Sequence, residues 1–344
     1  MQSERSRDDI LGWLHCDDPA RLERLWEKAD RERARTVGPC VHLRGLVEIS
    51  NHCIRSCTYC GIRAANRSLK RYRMPRDEIM ACARQAVSYG FGTLVLQAGE
   101  DPGLDARWLA ELVSAIKNST PLAVTLSLGE RAPADLELWR ARGADRYLLR
   151  FETSDQGLYN HIHPALSSRD VNDRIAQVRV LRSLGYETGS GIMVGIPGQT
   201  YASVARDLEL FRELDLDMIG IGPYIAHPAG KLARKGGPEQ VPATERMACI
   251  VVALARLQCP QSNIPSTTAL ATVNSEHGRA HGLERGANVC MPCLTPEPYR
   301  RLYDIYPDRA ESSTTPEDSR RTALATLERL GRPVCKGPGP RRRT

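Results

Sequence analysis

Short runs rich in β-branched and aliphatic residues alternate with amphipathic, helix-like stretches from residue 43 to residue 292, and this rhythm most limits the possible folds. Eight such runs occur, at residues 43–50, 93–99, 123–129, 145–152, 187–195, 217–222, 263–270 and 287–292. Strands that alternate with crossover helices form parallel sheets, and eight repeats over ~250 residues favour a closed (β/α)8 barrel of the TIM type. An open doubly wound sheet is the alternative, but no G-x-G-x-x-G follows the first run.

The repeat divides the 344-residue chain into three predicted parts. Residues 1–41 form an N-terminal helical segment, whose charged stretch 7–37 predicts one or two helices. Residues 42–306 form the α/β barrel. Residues 307–344 form a short C-terminal extension with a polar loop, a helix and a basic Pro/Gly tail, GPGPRRRT, which we expect to be disordered.

Composition excludes two classes of partner. The net charge is only +7 and aromatic residues are 5%, so the basic, aromatic surface typical of nucleic-acid binding is not expected. No apolar stretch reaches the ~18 residues of a membrane span; the most apolar one, Met247 to Leu257, is interrupted by Arg256. The first residues contain no apolar signal region, so we expect a cytoplasmic protein.

Three of the eleven cysteines, Cys53, Cys57 and Cys60, lie within eight residues directly after the first predicted strand. Disulfides are rare in a reducing compartment, so this group is expected to bind metal or to carry chemistry. Three thiolates can hold three irons of a cubane cluster and leave the fourth iron open to a substrate. A zinc site with a distant fourth ligand, or a chance group of thiols, is the alternative. In a barrel this loop lies on the catalytic face.

The C-x3-C-x2-C motif, with Tyr59 before its third cysteine, resembles the radical S-adenosylmethionine (SAM) superfamily. From Leu46 to Tyr306 the chain more closely resembles the branch of that superfamily that matures FeFe-hydrogenases. The stretches that carry this resemblance include EISNHCIRSCTYCGIR, LVLQAGEDP, LGYETGSGIMVGIPGQT and TPEPYRRLY. It implies a barrel of the radical SAM kind that holds one 4Fe–4S cluster, bound by the three cysteines, and SAM.

The resemblance also implies an activity and partners. SAM would be cleaved to a 5′-deoxyadenosyl radical that acts on a cysteine-bound iron–carbonyl–cyanide precursor, or on another thiol-bearing small molecule. A reductant such as ferredoxin or flavodoxin, and other hydrogenase maturases, would be the partners. Three alternatives are a methylornithine-synthase-like rearrangement, a biotin-synthase-like sulfur insertion, and a non-catalytic iron–sulfur scaffold.

Contacts to SAM are implied for seven further residues: Tyr59, Gly99, Ser127, Arg150, Glu152, Arg174 and Met193. Arg150 and Glu152 are two apart on a predicted strand and therefore point to the same side. Glu152 would meet the ribose or ammonium, while Arg150 or Arg174 would bind the carboxylate through its guanidinium fork. Gly99 would let the backbone approach the methionine ammonium. A structural salt bridge and ordinary core packing are the alternatives.

The substrate is expected deeper in the barrel, near five residues: Arg44, Thr267, Thr268, Tyr299 and Tyr303. By the resemblance they belong to a cavity for anionic or thiol-bearing ligands, and an arginine near hydroxyl groups suits an anion. Strand threonines and helix tyrosines are also common structural residues.

The sequence departs from the family pattern near its C-terminus. Some relatives hold a second cluster there with three cysteines, but Pro307 to Pro333 contains none, so that site is expected to be missing. Cys290 and Cys293 form a C-x2-C pair. Two ligands are too few for a closed metal site, and buried thiols or a site completed by another donor, such as Cys259, remain open.

Overall fold

One curled parallel sheet of seven strands organises the part of the chain that the computed structural model describes, residues 6–166, 173–232, 237–310 and 312–341. The strand order is β6-β5-β4-β3-β2-β1-β7. The strands are β1 His42–Ser50, β2 Thr93–Ala98, β3 Ala123–Ser127, β4 Arg146–Leu148, β5 Glu187–Val194, β6 Met218–Pro223 and β7 Val289–Cys290. The predicted α/β fold class is confirmed.

Helices cover the outer face of the sheet. Within the described residues they are α1 Arg7–Leu14, α2 Pro19–Val37, α3 Arg76–Ser88, α4 Ala106–Ser119, α5 Pro133–Ala141, α6 Gln156–Ile162, α7 Arg174–Ser183, α8 Tyr201–Glu213, α9 Glu245–Gln258, α10 Thr268–Val273, α11 Gly278–Glu284, α12 Glu297–Arg300 and α13 Pro316–Arg329. Several begin where a polar side chain accepts the first free N–H groups, as Asp105 does for α4 and Thr244 for α9. None of these helices combines the length and apolarity of a membrane span.

The alternation of side chains along β1 shows how the barrel separates its core from its cavity. Val47 and Ile49 point outward and join the main apolar core beneath the helices. Leu46 and Glu48 point inward and line the central cavity. A strand buried on both faces needs apolar residues outside, whereas the inner face can carry functional groups.

The seventh predicted strand, residues 263–270, is the part of the barrel prediction that the structure corrects. This segment makes only isolated parallel bridges, Met218 with Asn263 and Pro265 with Val289, and α10 begins at Thr268. Pro265 has no N–H for a regular ladder, so strand pairing is interrupted there. Pairing still continues from β6 through this segment to β7.

The C-terminal extension also differs from expectation, because the tail is folded as far as Arg341. The structure joins Cys40 and Cys335 in a disulfide, although a reducing compartment predicted free thiols. Beside it, Val41 and Val334 form a parallel bridge. The predicted disorder of the tail is therefore wrong for the described residues; Arg342 and Arg343 lie outside them.

Beyond the disulfide, the tail crosses the starts of the strands, at the end of the barrel opposite the cysteine loop. The carbonyl of Pro338 accepts hydrogen bonds from Thr93 (3.1 Å) and Arg146 (3.0 Å). The carbonyl of Gly339 accepts one from Arg44 at 3.2 Å. These contacts satisfy buried arginines at the floor of the barrel, and a buried charged donor without a partner is costly.

Candidate active site

The cysteine loop follows β1 and is fixed by a network around Asn51. The Asn51 amide donates to the carbonyls of Lys70 (2.9 Å) and Leu302 (2.8 Å) and accepts from the backbone N–H of Tyr72 (2.7 Å). The N–H of Ile54 donates to the Glu100 carbonyl at 2.9 Å. The loop is thus tied to the ends of several strands before any ligand binds.

The three thiols of this loop are free and all line one cavity of about 300 Å³. Burial raises the pKa of Cys53 and Cys60 and raises the pKa of Cys57 to about 12. The thiols therefore keep their protons at neutral pH until a metal displaces them, as metal binding to cysteine requires.

The donor set fits an iron–sulfur cluster better than one metal ion. Among the described residues, no three or more His, Cys, Asp or Glu side chains converge on a position for a single ion. In a cubane each thiolate binds a different iron, so the three sulfurs need not meet around one centre. This observation disfavours the zinc alternative.

Gly99 brings the loop after β2 against the cysteine loop. A Cβ at this position would lie 2.2 Å from the His52 carbonyl oxygen and 2.8 Å from the Cys53 Cβ. Only glycine permits this approach, so the backbone of residue 99 stays next to the first cysteine.

A chain of alternating charges lies beside the cysteines. Arg55 pairs with Glu100 at 2.7 Å and with Glu130 at 2.8 Å, and Arg174 pairs with Glu130 at 3.0 Å. Arg174 also donates to the Arg150 carbonyl at 2.9 Å. The chain is buried, and each charge has an opposite neighbour, which is the condition for keeping charges out of water. It fixes Arg174 on the cavity wall.

Glu152 lines the cavity and has an unusual backbone conformation. Its φ is +67°, a left-handed conformation that costs a non-glycine residue of order 1–3 kcal/mol. Its Oε2 atom forms an ion pair with Arg150 Nη2 at 3.1 Å, but that contact is not a hydrogen bond, and among the described residues neither Glu152 Oε2 nor Arg150 Nε has a hydrogen-bond partner. Burial raises the pKa of Glu152, and Arg150 opposes that shift. Two buried polar groups thus remain available to a ligand.

Tyr59 and Met193 form an apolar part of the cavity wall. Met193 belongs to a small core cluster with Ile162 and Ile196, and Tyr59 packs against it. The Tyr59 hydroxyl lies 2.9 Å from His163 Nε2. Burial and Arg174 hold the pKa of His163 well below its usual value, so the ring is neutral. The wall can pack against a flat aromatic ring while the tyrosine hydroxyl stays satisfied.

The inner cavity contains a buried ion pair that the sequence analysis missed. Both guanidinium Nη atoms of Arg309 contact the carboxylate of Glu48, one of them at 3.1 Å, and both side chains are almost fully buried. Arg309 Nε has no partner among the described residues. Glu48 could have been identified from the sequence, because it alternates with outward-facing residues along β1 and so points into the cavity. Arg309 lies beyond the predicted barrel segment, and no local sequence pattern marks it.

Thirteen of the fifteen predicted site residues line this cavity, namely Cys53, Cys57, Tyr59, Cys60, Gly99, Ser127, Arg150, Glu152, Arg174, Met193, Thr267, Thr268 and Tyr303. The Tyr303 hydroxyl accepts a hydrogen bond from the Gln97 amide at 3.2 Å. Thr267 donates to the Ile221 carbonyl at 2.9 Å. The structure therefore brings the expected SAM and substrate residues to one place.

Arg44 and Tyr299 do not reach the cavity, which corrects their predicted place. Arg44 lies on the barrel floor against the tail, where burial and Arg146 lower its pKa to about 9. Tyr299 donates to Glu78 at 3.1 Å and packs on Tyr72. Both satisfy structural contacts that hydrophobic periodicity does not reveal.

Cys290 and Cys293 are both buried. Cys293 Sγ lies 3.8 Å from the Glu48 carboxylate, and burial raises its pKa to about 11. No third metal ligand joins them within the described part of the chain, so the arrangement favours the interpretation as buried thiols.

The chain belongs to the radical SAM superfamily, whose sequence profile, described as "Radical SAM superfamily", matches residues 47–211 and includes the cysteine loop. Within it, the chain is similar over nearly its whole length to the FeFe hydrogenase maturase subunit HydE of Thermotoga maritima. The two are 42% identical over 340 residues, which cover 99% of this chain and 95% of that protein. The protein is therefore a radical SAM enzyme.

Other relatives are more distant. The 3-methylornithine synthase of Methanosarcina acetivorans is 28% identical over 291 residues, covering 84% of this chain and 79% of the synthase. The crystal structure of methylornithine synthase PylB shares the fold, with a TM-score of 0.81 at 22% identity over 96% of this chain and 94% of that one. The maturase HydG superposes with a TM-score of 0.77 at 17% identity over 96% and 72%. These two likenesses define the fold alone.

Proposed function

We propose that this enzyme acts in FeFe-hydrogenase maturation, where it cleaves SAM to a 5′-deoxyadenosyl radical that acts on a cysteine-bound iron–carbonyl–cyanide precursor. One observation carries the proposal. The three cysteines share a single cavity with the Arg150–Glu152 pair and with the inner group around Glu48 and Arg309. The similarity to HydE supports the pathway, since the relative carries that name over almost the same length.

Cys53, Cys57 and Cys60 would hold the 4Fe–4S cluster, which when bound supplies the electron that breaks the S–C5′ bond of SAM. The protein must then keep the thiols on one wall and away from bulk water. The hydrogen bonds from Asn51 to the Lys70 and Leu302 carbonyls, together with the close approach of Gly99 to Cys53, hold the cysteine loop in position in advance.

The polar ends of SAM match the unpartnered groups of the wall. The Glu152 carboxylate would accept from the ammonium or ribose hydroxyls, and the Arg150 guanidinium would bind the carboxylate. Tyr59 and Met193 would pack against the adenine. Because Arg174 pairs with Glu130 and donates to the Arg150 carbonyl, the part of the site that would bind the SAM carboxylate is held in place in advance.

The substrate would lie among Thr267, Thr268, Tyr303 and the Glu48–Arg309 pair, which line the same cavity. Within this group the Arg309 guanidinium lies over the Tyr303 ring, 5.7 Å from its centroid. Hydroxyl groups and a guanidinium suit the carboxylate of a cysteine ligand and other anionic groups. Apolar side chains such as Leu46 and Met291 line the same space. They restrict water and stray hydrogen donors near a radical.

The test is reductive SAM cleavage by the anaerobically reconstituted protein. With dithionite and SAM, wild type should release 5′-deoxyadenosine and methionine, whereas Cys57→Ala should release none, because a ligand to the cluster is lost. Cys16→Ala is a matched control, since Cys16 and Cys57 are both 7% exposed and Cys16 lies outside the cavity. Cleavage by Cys57→Ala at the wild-type rate would refute the site.

A maturation assay separates the pathway from its alternatives. Apo-hydrogenase should become active only when this protein is added with the other maturases. SAM cleavage without maturation would favour a different radical reaction, such as a methylornithine-synthase-like rearrangement. Absence of SAM cleavage in a protein that holds iron and sulfide would favour the scaffold.

A further inference from the structure

The segment that follows the cysteine loop is strongly cationic. Between Gly61 and Arg76 there are six basic residues and no acidic one. The basic residues are Arg63, Arg67, Lys70, Arg71, Arg73 and Arg76. A single run of one sign beside a redox site is unusual for a chain whose net charge is only +7.

Carboxylates neutralise only part of this charge. Arg73 pairs with Asp101 at 2.8 Å, and Arg76 lies 3.8 Å from Glu111. No described carboxylate lies within 4.0 Å of the side-chain nitrogens of the other four basic residues, Arg63, Arg67, Lys70 and Arg71. Within the described parts of the chain, four of the six positive charges beside the cysteine loop therefore have no carboxylate partner.

The backbone that carries these charges is well ordered by hydrogen bonds. The Arg71 guanidinium donates to the carbonyls of Asn51, Ile62, Arg63 and Asn66 at 2.5–3.1 Å. Carbonyl oxygens satisfy its N–H groups without cancelling its charge. The segment thus presents its cations from a fixed position that begins immediately after the third cysteine.

The outer side of the segment is exposed. Arg67 and Lys70 are exposed, and Ile54, next to the first cysteine, is 40% exposed although it is a large apolar side chain. We call the surface formed by Ile54, Arg67 and Lys70 the cationic collar. It combines an apolar contact with flanking charge, a combination found in protein–protein contacts.

We propose that the cationic collar is the docking surface for a small acidic electron-transfer protein that reduces the cluster. The inference rests on the proposed function, which requires one electron from outside for each SAM cleaved. The carrier is oxidised by one electron and the cluster is reduced by one, with no bond made or broken in the transfer. Charge complementarity would orient the carrier and increase its association rate by about 10- to 1,000-fold.

Nucleic acid fits this surface poorly. The segment contains one aromatic residue, Tyr72, and it is only 7% exposed, so no exposed ring is available for stacking on bases. The collar also adjoins the cysteines rather than a groove that could follow a phosphate backbone. An acidic protein that must come close to the cluster is the better match.

The experiment compares two charge reversals of equal size. Arg67→Glu/Lys70→Glu alters the collar, and Arg24→Glu/Lys28→Glu is the control on the exposed face of α2. Reduction of the reconstituted cluster is followed by stopped-flow absorbance with two donors, an acidic flavodoxin and reduced methyl viologen. We expect the collar variant to react about tenfold or more slowly with flavodoxin at low salt, and to lose most of the salt dependence.

The control reversal should keep a rate with flavodoxin within about twofold of wild type, because its charges lie on α2, outside the cysteine loop and the cationic segment that follows it. An equal effect of both reversals, or none from the collar variant, would overturn the proposal. So would loss of duplex DNA binding in the collar variant without a change in flavodoxin kinetics. If wild type reduced by viologen cleaves no SAM, the proposed function fails instead, and the two failures are distinguishable.

Discussion

The Cys40–Cys335 disulfide makes a strong prediction about stability. It joins the residues just before β1 to the C-terminal tail across a sequence separation of 295. Opening it by Cys335→Ser releases the tail that supplies the Pro338 and Gly339 carbonyls to the arginines of the barrel floor. The active-site cavity lies at the other end of the strands, so SAM cleavage should stay near the wild-type rate.

The size of the effect follows from the length of the closed loop. The chain-entropy relation gives about 6 kcal/mol for a loop of this length as an upper limit, and measured disulfides usually contribute about 2–4 kcal/mol. With an unfolding entropy of about 2.1 cal/mol/K per residue, this corresponds to a fall in Tm of about 3–6 °C.

The assay is thermal unfolding of the apoprotein with and without dithiothreitol. Wild type should lose this stability when the bond is reduced, while Cys335→Ser should start lower and not respond. Thiol titration in denaturant should find nine free thiols of the eleven before reduction, because two are paired. Eleven free thiols, together with a wild-type Tm that does not change when dithiothreitol is added, would show that the disulfide is absent.

Two further predictions concern buried charges. In urea titrations, Glu48→Gln should lower the free energy of unfolding by about 3 kcal/mol, because it leaves the buried Arg309 charge unpaired. The double variant Glu48→Leu/Arg309→Met should recover much of this loss, because it removes both charges. Burial raises the pKa of Asp207 to about 7, although hydrogen bonds from Ser154 oppose this shift. Below pH 7 the folded protein therefore keeps the Asp207 proton at pH values at which the unfolded chain has already lost it. Stability should therefore fall by about 2 kcal/mol as the pH rises from about 5.5 to 7.5, and the same titration of Asp207→Asn should lack this component; identical slopes would contradict the assignment.

Local patterns explain what could be predicted. The cysteine spacing and the strand–helix alternation are properties of a few neighbouring residues. These features predicted the cysteine loop, the approximate positions of all seven strands and most cavity residues. Arg150 and Glu152 were expected on one side of a strand because they are two residues apart. Both line the cavity, but β4 ends at Leu148, so the expectation that they lie on the strand is wrong. The left-handed backbone of Glu152 was not foreseen.

The two errors have different causes. The segment 263–270 has the composition of a strand, but Pro265 and the start of α10 at Thr268 prevent a regular ladder. Arg44 has the parity of a cavity residue, yet the tail covers the barrel floor and accepts its hydrogen bond. The first error has a local cause that composition does not show, whereas the second depends on a neighbour far away in the chain.

The sequence alone thus predicted the position of the cysteine loop, because thiol spacing is a local property, and its resemblance to a known family predicted the chemical class of the site. Tertiary structure alone decided that Glu48 meets Arg309 across 261 residues and that Cys40 meets Cys335 across 295. Such pairs form only after loop closure brings distant segments together, and no short-range pattern encodes which buried charge or thiol will find which partner.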